Sequence, residues 1–352
     1  MAGRKQHYIP QALLRGFGKQ GKGKAVQVTV YTAGGNVFTT ATHGVAAQRY
    51  FYSELPDDAG VETLDDKITA FESRLSEILE EFHRVLPGHA VHPTKAAEAV
   101  AHLCGRQAHV RDSFACATGH LLSGTANLFR DKEWLWKTLG LDDVAPNEMM
   151  RTQIRQVYER IRNQIDPTNI TQIDFEQWAF MMLKAEFDNH YSTQMRFLRS
   201  FFDHLQTQTA KMARDAHVKA LDQSLAPEAR IAILKQFAWR IEPGRAGSFI
   251  LPDCVVTSWS AAASFQPLFY AGKNVDAVFM PLRYDRLLVG ERGEAAGNTT
   301  QIMNEVSAAC SWDCFIARDR NPEFQQLIPR IGERARQLMD DAVRVALDAM
   351  KT

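Results

Sequence analysis

Four side chains able to hold, move or neutralise charge fall within residues 7–15. His7 supplies an imidazole whose ordinary pKa lies near neutrality, Tyr8 a phenol, Gln11 an amide and Arg15 a guanidinium. A histidine suits general acid–base work, an arginine suits bidentate contact with phosphate, and an amide can orient a substrate. Pro10 fits the first turn of a helix, where its missing N–H costs nothing and its φ is already helical. On a short helix over residues 10–15, Gln11 and Arg15 are four apart and share one face. Leu13, Leu14 and Phe17 would anchor the other side in a core. His7 and Tyr8 fall just before the helix, where the backbone could aim them at its exposed N–H groups. Gly16 and Gly18 would end it. The plainer alternative is an arm whose apolar side chains dock while its polar groups cap and solvate.

The charge pattern around this stretch is uneven. Residues 1–53 contain no Asp or Glu but carry Arg4, Lys5, Arg15, Lys19, Lys22, Lys24 and Arg49. Residues 54–81 then hold ten acids against Lys67 and Arg74. Such a basic arm can meet phosphate or pair with the acidic helix after it, and intramolecular pairing is the expected outcome. Over the whole chain of 352 residues the formal net charge is zero, so no overall field draws it to nucleic acid or acidic lipid. The start lacks an apolar signal region and no run of about twenty apolar residues occurs, so a cytoplasmic protein with no membrane partner is expected. Five scattered cysteines do not resemble a disulfide framework.

The elements that must position these groups follow from hydrophobic spacing. Residues 25–31 alternate Val26, Val28 and Val30 with polar residues, and Ala33-Gly34-Gly35-Asn36 turns the chain into a returning strand at 37–40. Thr63 caps an amphipathic helix carrying Leu64, Ile68, Phe71, Leu75, Ile78, Phe82 and Val85, ended by Pro87-Gly88. A second helix is expected from residue 92 to about 122. It puts His102, His109, Cys116 and His120 on one face, but seven residues of helix advance about 10.5 Å, too far for one ion to bridge, so no metal site is assigned. Helices at 146–165, from a cap at Asp174 onward, and at 227–239 complete a helical block. Short strands are expected at 248–251, 254–257, 277–282, 287–289 and 313–317, with helices at 299–309 and 324–350.

Strands at both ends bracket about two hundred helical residues, and neither set alone makes a stable sheet. The economical solution is an α+β fold: a mixed β-sheet built from N- and C-terminal strands with a large inserted helical block. The segments are 1–60 (motif and hairpin), 61–240 (helical block) and 241–352 (C-terminal strands and closing helix).

Lys5-Gln6-His7-Tyr8-Ile9-Pro10-Gln11, followed by Leu14-Arg15-Gly16-Phe17, resembles the signature of the domain-of-unknown-function 4238 family of bacterial proteins. The strand at 26–31, Phe51-Tyr52 before an acidic loop, Arg106-Gln107 with Arg111, Phe279-Met280-Pro281-Leu282 and Asn304 fit the family's layout. Residues 250–256 resemble its strand–Ser-Asp-Asn-Pro-Val element, although Pro252-Asp253-Cys254-Val255 stands where Ser-Asp-Asn-Pro is usual. The resemblance implies a fold more than an activity.

Two functions are carried forward. The first is a nuclease or nucleotide-processing phosphodiesterase, a hydrolase in which His7, Tyr8 and Asp253 are catalytic and Gln11, Arg15 and Asn304 bind substrate. Its partner would be nucleic acid or a nucleotide, and Mg²⁺ is the cofactor such chemistry would call for. The second is a non-catalytic sensor or binding module of a bacterial defence or stress system, with a protein partner or a second copy of itself. No Gly-rich phosphate loop and no His-Glu-x-x-His occurs.

Overall fold

The structure is a computed structural model and describes residues 5–21, 23, 25–52, 63–162, 171–244, 249–262, 264–292 and 302–351. Contacts divide it into two units, residues 1–115 with 210–341 and residues 116–209 with 342–352. Arg4, Lys22, Lys24, the acidic loop from Glu54, and the expected helix and strand ends at 163–165, 248 and 299–301 lie outside the described residues.

The first unit begins with β1 (Lys5–His7), α1 (Gln11–Arg15), β2 (Lys19–Gln20), β3 (Val26–Thr32), β4 (Val37–Ala41) and β5 (Ala47–Arg49). The expected hairpin is β3–β4, closed by a turn in which Gly35 takes a φ of 83° and Thr32 N–H donates to the Asn36 carbonyl. Next comes α2 (Leu64–Arg84). Thr63 caps it with a full capping box on Asp66, and Leu64, Ile68, Leu75, Ile78, Leu79 and Phe82 are buried.

The single helix expected over 92–122 is two, α3 (Pro93–Gly105) and α4 (Ala108–Arg130). Arg106 leaves helical geometry at φ −92°, ψ 3° and is fully buried. Its guanidinium meets Glu72, the Tyr52 hydroxyl, the His7 carbonyl and His102 inside the core.

The second unit is helical. It holds the later part of α4, and α5 (Lys132–Thr138), α6 (Glu148–Ile161) and the earlier part of α7 (Gln172–Gln223) pack around Leu141, Met150, Ile154, Phe175, Phe180 and Phe187. The start of α7 corrects the expected cap. The Thr171 hydroxyl accepts from Asp174 N–H at 3.2 Å, so Asp174 is the third-position partner of a capping box rather than the cap.

Back in the first unit come α8 (Glu228–Leu234), β6 (Ala238–Pro243), β7 (Leu251–Pro252), β8 (Thr257–Ser260), β9 (Ser264–Pro267), β10 (Ala277–Arg283) and β11 (Arg286–Glu291). They are followed by α9 (Met303–Cys310), β12 (Cys314–Ala317), α10 (Pro322–Gln325) and α11 (Glu333–Ala349), whose last residues join the second unit. The helix expected to reach residue 239 stops at Leu234. Trp239 instead pairs with Gly290, where any side chain would sit 2.6 Å from the indole. The closing helix is likewise interrupted, with Gly332 at φ 83° before α11.

The α+β class is as expected, and strands from both ends of the chain do share a sheet. That sheet runs β2-β3-β12-β7 with β4 on β3; a second runs β6-β11-β10-β8-β9, and β1 pairs β5. Among the described residues the strands thus occupy three sheets rather than one, and each pairing is antiparallel rather than mixed. The main core joins Leu13, Leu14 and Phe17 to α2, α3 and the inner faces of β10 and β11. Among the described residues no helix is long and apolar enough to cross a membrane.

Candidate functional site

The N-terminal motif is fixed at both ends. His7 pairs with Ala47 across β1–β5, and Tyr8 N–H donates to Ala46 O at 2.9 Å. Pro10 stands at the N-cap of α1, one residue earlier than expected, and its carbonyl accepts from Leu13 and Leu14. Gly16 is required by closeness: a Cβ there would lie 2.6 Å from Leu282 O. Tyr284 N–H donates to Gly16 O at 3.1 Å, so the end of α1 is stitched to the β10–β11 turn.

Along the exposed side of this motif runs a side-chain chain. His7 Nε2 lies 3.0 Å from Gln11 Nε2, and Arg15 donates to Gln11 Oε1 at 3.3 Å. A guanidinium only donates, so the Gln11 oxygen faces Arg15 and its NH₂ faces His7. His7 Nε2 therefore accepts, and the ring is neutral with its proton on Nδ1. That Nδ1 is buried; the Val45 carbonyl lies close enough to favour protonation but outside hydrogen-bond geometry. Burial holds the His7 pKa below its ordinary value, with Lys5 and Arg106 reinforcing the shift and Glu72 opposing it.

Arg15 lies at the rim of a cleft of about 460 Å³, lined by Lys19, His83, Arg283, Tyr284 and Arg318 among others. The Arg318 guanidinium sits 4.0 Å from the Tyr284 ring centroid and that of Arg283 5.5 Å from it. Arg283 pairs with Asp285 at 3.1 Å, and Asp319 lies 2.5 Å from Lys19 and 3.7 Å from Arg318. Neither carboxylate is part of the lining. Among the described residues, Lys19 of the basic arm reaches Asp319, and Glu72 of α2 reaches Arg106. A smaller cavity of about 200 Å³ in the second unit has two arginines, Arg130 engaged by Asn127 and Arg199 by Asp203.

Asp253 and Asn304 stand elsewhere. Asp253 is buried and accepts from Trp312, Asp313 and Cys314 N–H at 2.8, 2.7 and 3.0 Å. The imidazole that reaches it is His109, at 3.3 Å, and His109 Nε2 meets the Tyr270 hydroxyl at 2.6 Å. Tyr8 feels this group electrostatically: burial pushes its phenol pKa up, helped by Cys314, Asp253, Asp112 and Asp313. Asn304 Oδ1 accepts Ile250 N–H at 3.0 Å, anchoring the approach to β7. The structure thus joins His7, Gln11 and Arg15 in one chain and puts Asp253 and Asn304 in separate backbone contacts. Among the described residues no group of three or more His, Cys, Asp or Glu is placed to hold a metal ion; Cys116 and His120 meet at 3.9 Å.

Sequence reasoning passed over Arg283, Tyr284 and Arg318 as sites. It also missed the role of Arg106, which ties Glu72, Tyr52, His102 and the His7 carbonyl together.

Burial also shapes the pH response. His217 donates to Gly105 O at 2.7 Å and is pushed down to about 4, chiefly by burial. His102, His83 and His7 are lowered from 6.5 as well, each first by burial. A histidine whose folded pKa lies below its unfolded value binds a proton sooner when unfolded, so its contribution is present above pH 6.5 and lost on acidification. His217 alone contributes about 3 kcal/mol across pH 6.5 to 4. Denaturation series at pH 8, 6 and 4.5 should therefore give falling midpoints, and a His217→Gln variant should flatten the profile.

The chain is an α+β protein with a cationic cleft beside its N-terminal motif. Residues 5–101 match the model of the family described as "Protein of unknown function (DUF4238)". The match takes in His7, Tyr8, Gln11, Arg15, Lys19 and His83, together with the strand at 26–31 and Phe51-Tyr52; the features from Arg106 onward that resemble the family lie beyond it. No curated protein and no solved structure matches the chain.

Proposed function

We propose that the protein is a binding module for a phosphate-bearing ligand of the nucleotide or nucleic-acid class, held in the cleft bounded by Arg15, Lys19, Arg283 and Arg318. One observation carries this reading: four cationic side chains from α1, β2, the end of β10 and the segment after β12 converge on one cleft, while the two acids paired with them stay out of its lining. Guanidinium groups grip phosphate oxygens bidentately, and the Tyr284 ring holds two of them over an aromatic face.

Hydrolysis fits these groups less well. Both oxygens of Asp253 accept backbone N–H groups, Tyr8 is held protonated by burial, and Gln11 already occupies Nε2 of His7. A base must reach the proton that it takes.

The test is fluorescence anisotropy with labelled oligothymidylate and with a labelled nucleoside triphosphate, at several salt concentrations, with and without Mg²⁺. Binding that weakens steeply with salt is expected. Arg15→Met and Arg318→Met should each cost about tenfold in affinity, the worth of one charge-assisted contact. No binding by the wild-type protein of either probe would sink the proposal. Cleavage of RNA or DNA lost in a folded His7→Ala variant would replace it with the hydrolytic reading.

A further inference from the structure

The hydrogen-bond polarity along α1 has a consequence for the cleft, and it rests on the binding reading above. Arg15 is tethered through a Gln11 amide that can turn over, and the other end of that amide is read by a titratable ring. We propose that His7 is a positioning residue of the anion-binding cleft: while neutral it holds Gln11 so that its oxygen tethers Arg15, and once protonated it reverses the amide and releases Arg15.

The chemistry is a swap of donors and acceptors. Neutral His7 accepts at Nε2, which is compatible only with the Gln11 NH₂. A proton arriving at Nε2 makes that atom a donor, so the amide must present its oxygen to His7 instead. Its NH₂ then faces the Arg15 guanidinium, donor against donor, and the tether is lost. The like charge of the imidazolium acts in the same direction.

The groups facing the ring come from every element around it. Lys5 lies on its own strand, Glu72 on α2, and Arg106 follows α3, with the Val45 carbonyl beside Nδ1 and Gln11 on α1. Burial and the two cations oppose protonation and Glu72 favours it, so release falls below the ordinary histidine range. His83 lines the same cleft, and its protonation would strengthen anion binding. The His7 effect must therefore be read as a difference between proteins that both keep His83.

Two measurements on the full chain test this. The first is the ¹⁵N spectrum of the His7 ring at pH 7.5. The wild type should have the proton on Nδ1, whereas Arg15→Met, which frees the amide to turn, should raise the Nε2-protonated form. A wild-type ring protonated on Nε2 would overturn the proposal whatever the cleft binds. The second is oligothymidylate affinity from pH 8 to pH 5 for wild type and Gln11→Met, since phosphodiesters and thymine do not titrate in that range. Relative to Gln11→Met, wild type should lose about fivefold on acidification, the cost of one unrestrained side chain at the site. Parallel pH profiles would also overturn it. Absence of binding at every pH would count against the cleft reading and leave the tautomer measurement to decide the link between His7 and Gln11.

Discussion

An Asp253→Ala variant is expected to lose about 4 kcal/mol of stability or more, seen as a lower denaturant midpoint. The carboxylate is the acceptor for three consecutive backbone N–H groups, those of Trp312, Asp313 and Cys314, and for His109. A buried donor left unpaired costs about 1–3 kcal/mol, and the Trp312 N–H and His109 are fully inside. Some of the loss is offset. Burial, and then neighbouring carboxylates that include Asp253, push the Asp112 and Asp313 pKa values up, and removing Asp253 relieves them. The variant should therefore also titrate Asp112 and Asp313 at lower pH, which carbon NMR can follow. The same contacts hold the turn in which Val255, a β-branched residue, sits at φ 55°. Such a backbone costs on the order of 1–3 kcal/mol and persists only where its surroundings over-determine it. Unchanged stability together with an unchanged Asp112 titration would show that Asp253 is not the clamp described.

Replacing Arg106 is expected to be comparably severe. Its guanidinium is fully buried and spends its donors on four partners: Glu72 Oε1 at 2.6 Å, the His7 carbonyl at 2.5 Å, the Tyr52 hydroxyl at 3.2 Å and His102 Nε2 at 3.1 Å. Arg106→Met keeps the volume but strands those acceptors, and breaking a buried ion pair from one side costs about 3–5 kcal/mol. Arg106→Lys should recover little, because a single ammonium cannot span the fork. Glu72→Gln alone should cost less, since that side chain is one-third exposed. In the double variant Arg106→Met with Glu72→Met the loss should shrink, because no unpaired carboxylate is left behind. Equal denaturation midpoints for wild type and Arg106→Met would refute this account. Because His7 hangs from the same guanidinium by its carbonyl, the single variant should loosen the start of α1 too, visible as faster hydrogen exchange at Tyr8.

Much of the fold could be read from residue spacing, because the signals there are local. Val26, Val28 and Val30 alternate, Thr63 caps, and Leu64, Ile68, Leu75 and Phe82 keep one face of α2, so hairpin and helix follow from neighbours alone. What was not legible depends on distant partners. Trp239 looks helical in sequence and becomes a strand residue because Gly290, 51 positions later, leaves room for its ring. The 92–122 stretch is periodic throughout, yet it breaks at Arg106, whose guanidinium meets Glu72 and Tyr52. The site divides in the same way. His7, Gln11 and Arg15 are spaced four apart and could be grouped from sequence. Arg283 and Arg318 are ordinary surface arginines until the β10–β11 turn and the end of β12 bring them to α1.

The pairing of β3 with β12 sets a timetable for the molecule as it is made. Thr29 pairs with Ala317, and Lys19 reaches Asp319, so the first strands wait for nearly the last ones. At ribosomal rates of roughly 5–20 residues per second, that wait is on the order of 15–60 seconds. Throughout it the hairpin has an unsatisfied edge, and for most of it the motif has no β10–β11 turn to receive Gly16. Non-local pairing of this kind is slow and exposes nascent chains to aggregation. A ribosome that stops short of β12 would release a polypeptide carrying the whole basic arm but only part of the cleft.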